Sequence, residues 1–153
     1  MPQKYLSQQQ SVDYLQQGNT GRLATCSAEG QPYITPLHYA YQDGKIYFHC
    51  AHEGQKLMNI AANRKICFEV SHTEKTVFGA KACACATRYT SVLVFGTARI
   101  VSDEAEKVMA LNRLIAHIAG DSAFANVTEE LAAGCCVVAI DIVSISGKEN
   151  VDP

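Results

Sequence analysis

The chain has 153 residues, 48 % of them hydrophobic and 18 % charged, and a formal net charge of −2. These values exclude a disordered chain and fit one domain, residues 1–153, with a core large enough to need no staples. The near-neutral balance leaves no basic footprint for nucleic acid or an anionic membrane, no apolar run is long enough to span a bilayer, and the opening MPQKYLSQQQ has no apolar signal segment, so we expect a cytoplasmic protein.

Ser7 and Gln10 have the spacing of a capping box, which starts a short helix expected to end with Gly18 in a left-handed C′ position. Its apolar face (Val12, Tyr14, Leu15) is thin. Gly21 to Ala28 reads as a strand and Glu29-Gly30 as a turn. Tyr33 to Gln42 and Lys45 to Cys50 read as two strands joined at Asp43-Gly44, a hairpin signal because both central residues of a type I′ turn need positive φ. Gly54 to Asn63 follows as a helix with Leu57, Met58 and Ile60 inward.

Lys65 to Ser71 alternates Ile66, Phe68 and Val70 with polar positions, the period of a strand with one buried face. His72 to Thr87 lacks that period and reads as a long loop carrying Cys83-Ala84-Cys85. Tyr89 to Val101 is a strand in which Gly96 marks a bulge or a close backbone approach. A helix is expected from Asp103 to Ala119, capped by Ser102, with Val108, Leu111, Ile115 and Ile118 inward and Gly120 as its stop. Asp121 to Gly134 reads as loop with one turn of helix, and Cys135 to Ile145 as a final apolar strand. About six mostly consecutive strands and two substantial helices favour an antiparallel β-barrel or sandwich with helices at its ends.

Dinucleotide, P-loop, zincin and nucleophile-elbow motifs are absent. The seven cysteines are an odd number and read as buried apolar residues or redox thiols; Cys83 and Cys85 lack the further ligands of a zinc set, so no metal is expected. His38, His49 and His52 would each ordinarily be structural, and Lys56 a solvated lysine. Clustered around one hairpin mouth, they point instead to an anion site, because free N–H groups at a helix start beside a lysine suit a phosphate.

Gly21-Arg22-Leu23-Ala24-Thr25, Pro36-Leu37-His38-Tyr39, Ile46-Tyr47-Phe48-His49-Cys50-Ala51, Gly54 and Lys56 occur in an order that resembles the pyridoxamine 5′-phosphate oxidase-related flavin-binding split barrels. Tyr89-Thr90-Ser91-Val92, Gly96 and Ile145-Ser146-Gly147-Lys148 extend the likeness, which is greatest to the branch of the nitroimidazole-resistance (Nim) proteins. The resemblance implies a mainly β (α+β) fold, a six-stranded antiparallel split β-barrel with peripheral helices. It also implies a homodimer with FMN in clefts between the protomers. Thr35, Pro36, Leu37, His38 and Tyr39 would then follow the edge of the flavin ring. His49, Cys50 and Ala51 would lie near the ribityl chain and phosphate, with Gly54 and Lys56 on the phosphate itself. Ser91 stands where pyridoxamine phosphate oxidases carry a glutamine, and the paired arginines those enzymes use are absent, which argues against pyridoxamine phosphate as substrate.

The resulting expectation is an FMN-dependent oxidoreductase that reduces small electrophiles, with nitroaromatic compounds implied by the resemblance and His38 as the candidate catalytic residue. The alternative is a non-catalytic flavin- or haem-binding protein on the same barrel.

Overall fold

The computed structural model describes residues 4–120, 122 and 124–151; Asp121, where the 121–134 loop was expected to start, lies outside them. The elements are β1 (Lys4–Tyr5), α1 (Gln8–Gln17), β2 (Thr20–Cys26), β3 (Pro32–His38), β4 (Ala40–Gln42), β5 (Lys45–Cys50), α2 (Gln55–Ala62), β6 (Lys65–Val77), β7 (Ala86–Ile100), α3 (Glu104–Ala119), α4 (Glu129–Ala133) and β8 (Cys136–Asn150). They form an eight-stranded sheet in the order β3-β2-β6-β7-β8-β5-β4, with β1 added on β8. Every pairing is antiparallel. The architecture is the expected split barrel; the two strands beyond six arise from the two-residue β1 and from a division of one expected strand.

That division is at Tyr39. The run from Tyr33 to Gln42 is not one strand: β3 pairs with β2, β4 pairs with β5, and these lie at opposite ends of the sheet path. Tyr39 is fully buried, its hydroxyl donates to the Leu15 carbonyl at 2.6 Å, its ring meets Phe68 edge-on at 5.0 Å, and its N–H donates to the Asn19 carbonyl at 3.1 Å. The chain therefore dips into the core between the two strands. Gly18 is shaped by the same contact. It is extended (φ −73°) rather than left-handed, and a Cβ there would lie 2.5 Å from the Tyr39 hydroxyl. The helix ends on glycine because Tyr39 needs the space.

The capping box of α1 forms as expected, with Ser7 Oγ accepting from the Gln10 N–H at 3.1 Å and Gln10 Oε1 accepting from the Ser7 N–H at 2.9 Å. Asp43 and Gly44 have positive φ, as the hairpin requires. Gly96 marks a register shift between β7 and β8, and its α-carbon also runs against the Asp141 carbonyl. In α2, Leu57 and Ile60 are buried, but Met58 is 60 % exposed and Asn59 takes the third inward place, donating to Thr25 Oγ1 at 2.9 Å. The cap of α3 is Asp103, not Ser102: its carboxylate accepts from the Glu106 N–H at 2.7 Å and is the stronger acceptor beside a helix N-terminus.

The expected loop over His72–Thr87 is largely strand. β6 and β7 stay paired from His72–Thr90 to Val77–Ala86, with β8 alongside as far as the Tyr89–Asn150 pair, leaving only residues 78–85 as the tip of the arm, with a 3-10 turn at Ala82–Ala84. From Ser71 to Thr76 the side chains of β6 are exposed, so the arm has no apolar alternation for the sequence to display.

One apolar cluster fills the barrel, built on Leu15, Leu23, Tyr39, Phe48, Phe68 and Val94. A second lies between the sheet and α3, where Tyr47, Val137 and Ala139 meet Ala110, Leu111 and Leu114. Residues 46–48 of β5 and 136–140 of β8 are buried on both faces, which explains the unbroken apolar run after Cys135. At the edge of the second cluster Glu106 accepts two bonds from Arg99, at 2.6 and 3.0 Å, and one from the Tyr47 hydroxyl at 2.9 Å. The Arg99 hydrogen bonds hold the Glu106 carboxyl below its ordinary range. Among the described residues no helix is long and apolar enough to cross a membrane.

Two expectations follow. Tyr39→Phe leaves the Leu15 carbonyl buried without its donor and should lower stability by roughly 1–3 kcal/mol in urea unfolding, with the fold retained. Glu106→Gln should cost roughly 1–3 kcal/mol at neutral pH. Because the folded carboxyl titrates lower than the unfolded one, this contribution is present above the unfolded pKa and is lost as the pH falls through the folded value. The gap between wild type and Glu106→Gln in urea midpoint should therefore close on acidification; a constant gap would refute the assigned role.

Candidate functional site

β5 is locked between β4 and β8, and its last residue, Cys50, lies opposite Cys136. The chain then turns through Ala51–Glu53 to Gly54, whose φ of 134° is a conformation that favours glycine. No side chain caps α2, so the N–H groups of Gln55 and Lys56 face outward without a helical partner. Lys56 is half-buried and forms no ion pair among the described residues. Burial pushes the Cys50 thiol up to about 11, and the Lys56 ammonium pulls it the other way. The rival cation Arg64 is committed elsewhere, with Nε donating to the Ala98 carbonyl at 3.1 Å.

The structure thus brings together Cys50, Ala51, Gly54 and Lys56. His49 lies on the opposite face of β5 from Cys50, as strand alternation requires, and lines a cavity with α3 and α4. His52 Nε2 is 3.2 Å from the Ala133 carbonyl. A carbonyl only accepts, so His52 donates and ties the loop to α4.

Thr35 to His38 lie on the edge strand β3, which pairs on one side only. Pro36 suits an edge, where its missing N–H need break no ladder bond. Thr35 Oγ1 is buried with no hydrogen-bond partner among the described residues. Leu37 packs against the barrel core. His38 Nδ1 is 3.1 Å from the Asn19 carbonyl and must donate to it, which leaves Nε2 as the ring's acceptor. Tyr39 is in the core with its hydroxyl and N–H both engaged, so it holds the edge in place from behind.

Ser91 is three strands from β3, roughly 14 Å at the usual strand spacing. It pairs with Ser71 and Lys148 on the outer face of the sheet and borders a hollow of about 200 Å³ with Tyr5 and Lys148. That face carries Ile34, Ala24, Cys67 and Phe95 in one cross-strand row, with Ile34 64 % and Phe95 50 % exposed. The next row holds the Arg22–Glu69 ion pair at 2.9 Å.

Sequence reasoning missed the residues flanking the α2 start. Gln55 and Asn59 border a hollow of about 420 Å³ with Ser27 and Tyr33, beside the first residues of β3. On the other flank His52, Glu53, Gly54, Leu57, Met58 and Ala61 border one of about 580 Å³. An amide at Asn59 between the inward positions Leu57 and Ile60 was the available signal. Among the described residues no three His, Cys, Asp or Glu side chains are grouped to hold a metal.

No curated protein matches the chain. Among solved structures, a candidate 5-nitroimidazole antibiotic resistance protein from Bacteroides thetaiotaomicron aligns with TM-score 0.82 and 22 % identity, over 97 % of this chain and 89 % of that one. An FAD-binding protein from Mesorhizobium loti aligns with TM-score 0.74 and 26 % identity, over 99 % and 100 %. An FAD and haem binding protein from Mycobacterium smegmatis aligns with TM-score 0.84 and 19 % identity, over 97 % and 74 %. The family model described as pyridoxamine 5′-phosphate oxidase matches residues 7–149, and the chain belongs to that family.

Proposed function

We propose that the protein is an FMN-dependent oxidoreductase that reduces small electrophiles, nitroaromatic compounds among them, and works as a homodimer. The observation that carries this reading is Lys56, a half-buried cation that meets no carboxylate among the described residues, at the uncapped start of α2. An ammonium withdrawn from water without a counter-charge is costly, and a phosphate seated there would relieve that cost and accept the free N–H groups of Gln55 and Lys56. The β3 edge leads away from the same mouth. Its free backbone groups and the unpaired Thr35 hydroxyl fit the polar rim of a flavin ring.

Bound flavin supplies the hydride or electron transfer, and the chain's own residues bind and orient it. His38, held by the Asn19 carbonyl with Nε2 as acceptor, is placed to relay a proton at the far end of β3. The outer face with Ile34 and Phe95 is the surface that a second copy would cover.

Lys56→Met keeps the stem and removes the charge. It should weaken FMN binding by roughly 2–4 kcal/mol, the scale for losing one partner of a desolvated charge pair. Riboflavin, which has no phosphate, should bind almost as before. Fluorescence titrations of wild type and variant with FMN, FAD and riboflavin check this; FAD is included because the hollow beside Met58 has room beyond one phosphate. Equal FMN affinity in the variant sinks the placement of the phosphate. For the dimer, Phe95→Glu should shift the mass seen by light scattering from two chains to one without lowering the melting temperature. A variant that stays dimeric removes this face from the interface.

A further inference from the structure

The cavity between β5, α3 and α4 plays no part in the flavin seat. It encloses about 570 Å³, within the range of small-molecule sites. Leu114, Ile115 and Ile118 line it from α3, Leu131 from α4 and Phe124 from the segment between them. Leu131 and Phe124 are 66 % and 65 % exposed, a high value for side chains of this kind that face one hollow. Among the described residues no charged side chain lines it, and the Cys135 thiol is engaged with the Ala132 carbonyl at 3.8 Å. That leaves the His49 imidazole, which has no hydrogen-bond partner among the described residues.

We propose that this cavity binds an uncharged, ring-sized apolar molecule whose single hydrogen-bonding atom meets His49. Charge is disfavoured because no described lining residue would compensate it. A second copy of the chain is disfavoured by size, since the exposed lining is far smaller than the roughly 800 Å² per partner of a standard interface. A flat apolar protein surface would also desolvate the imidazole without satisfying it. The site is separate from the mouth at Lys56, because His49 and Cys50 point to opposite faces of β5.

The test uses the full chain in excess FMN, titrated with the uncharged probe N-phenyl-1-naphthylamine. Fluorescence should rise to saturation at one site per chain. Leu131→Glu changes an exposed position and should weaken the probe by roughly tenfold or more, with melting temperature and flavin affinity unchanged. In competition, 1-naphthol should displace the probe roughly tenfold better than naphthalene, the scale of one net hydrogen bond, and His49→Phe should erase that advantage. Several outcomes overturn the proposal: a non-saturating signal, displacement of the probe by FMN, a change of oligomeric mass in Leu131→Glu, or haemin binding more tightly than 1-naphthol. Should FMN fail to bind at all, the flavin reading falls, while the probe titration still decides the cavity.

Discussion

The bond from the Tyr39 hydroxyl to the Leu15 carbonyl sets the topology. Antiparallel neighbours joined in sequence usually pair with one another, yet β3 and β4 are consecutive and do not pair. Burying a tyrosine this deeply requires a partner for its hydroxyl, and α1 provides one from its last turn. Burial raises the Tyr39 phenol well above its ordinary range, so it remains a donor across the physiological pH scale. With the chain pinned there, β3 must leave along β2 and β4 along β5. The barrel is thereby split, and β3 becomes an edge available to a ligand.

The second constraint is the burial of residues 46–48 of β5 and 136–140 of β8 on both faces. Ile46 and Phe48 fill the barrel while Tyr47 packs under α3. The strand cannot slip by one residue without exchanging those sets, so the exit at Cys50 is fixed. From a fixed exit, Gly54 and its positive φ aim the start of α2, and Lys56 follows. The same alternation sends His49 to the α3 side. Two residues adjacent in a motif thus face opposite sides of the sheet by the period of the strand alone.

Much of this was legible in the sequence wherever one residue decided a local geometry. Ser7 with Gln10, Asp43-Gly44, the Ile66-Phe68-Val70 alternation and Gly96 each carry their own physical reason, and each appears where it was read. What stayed hidden depends on distant partners. Tyr39 looks like any strand tyrosine until Leu15 lies beneath it. The β6 half of the arm is exposed on both faces, so polar and apolar positions do not alternate and periodicity has nothing to report. For the site, Gly54 and Lys56 could be read as a helix start, and the structure adds that Lys56 meets no counter-charge among the described residues. The separation of His49 from Cys50 and of Ser91 from β3 could be seen only once each strand's neighbours were known.

A split barrel retains an exposed edge, and exposed edges invite pairing with other chains. β3 handles this with Pro32 and Pro36, which remove donors from its backbone, while β4 is only three residues long. The prolines leave the carbonyls in place, so the edge stays rich in acceptors yet is a poor template for another strand. A rigid planar ligand with its own donors can use such an edge where a polypeptide cannot form a regular ladder. On the function proposed above, the sequence features that protect the split would also make it selective, and Lys56 would tie that selectivity to an anion.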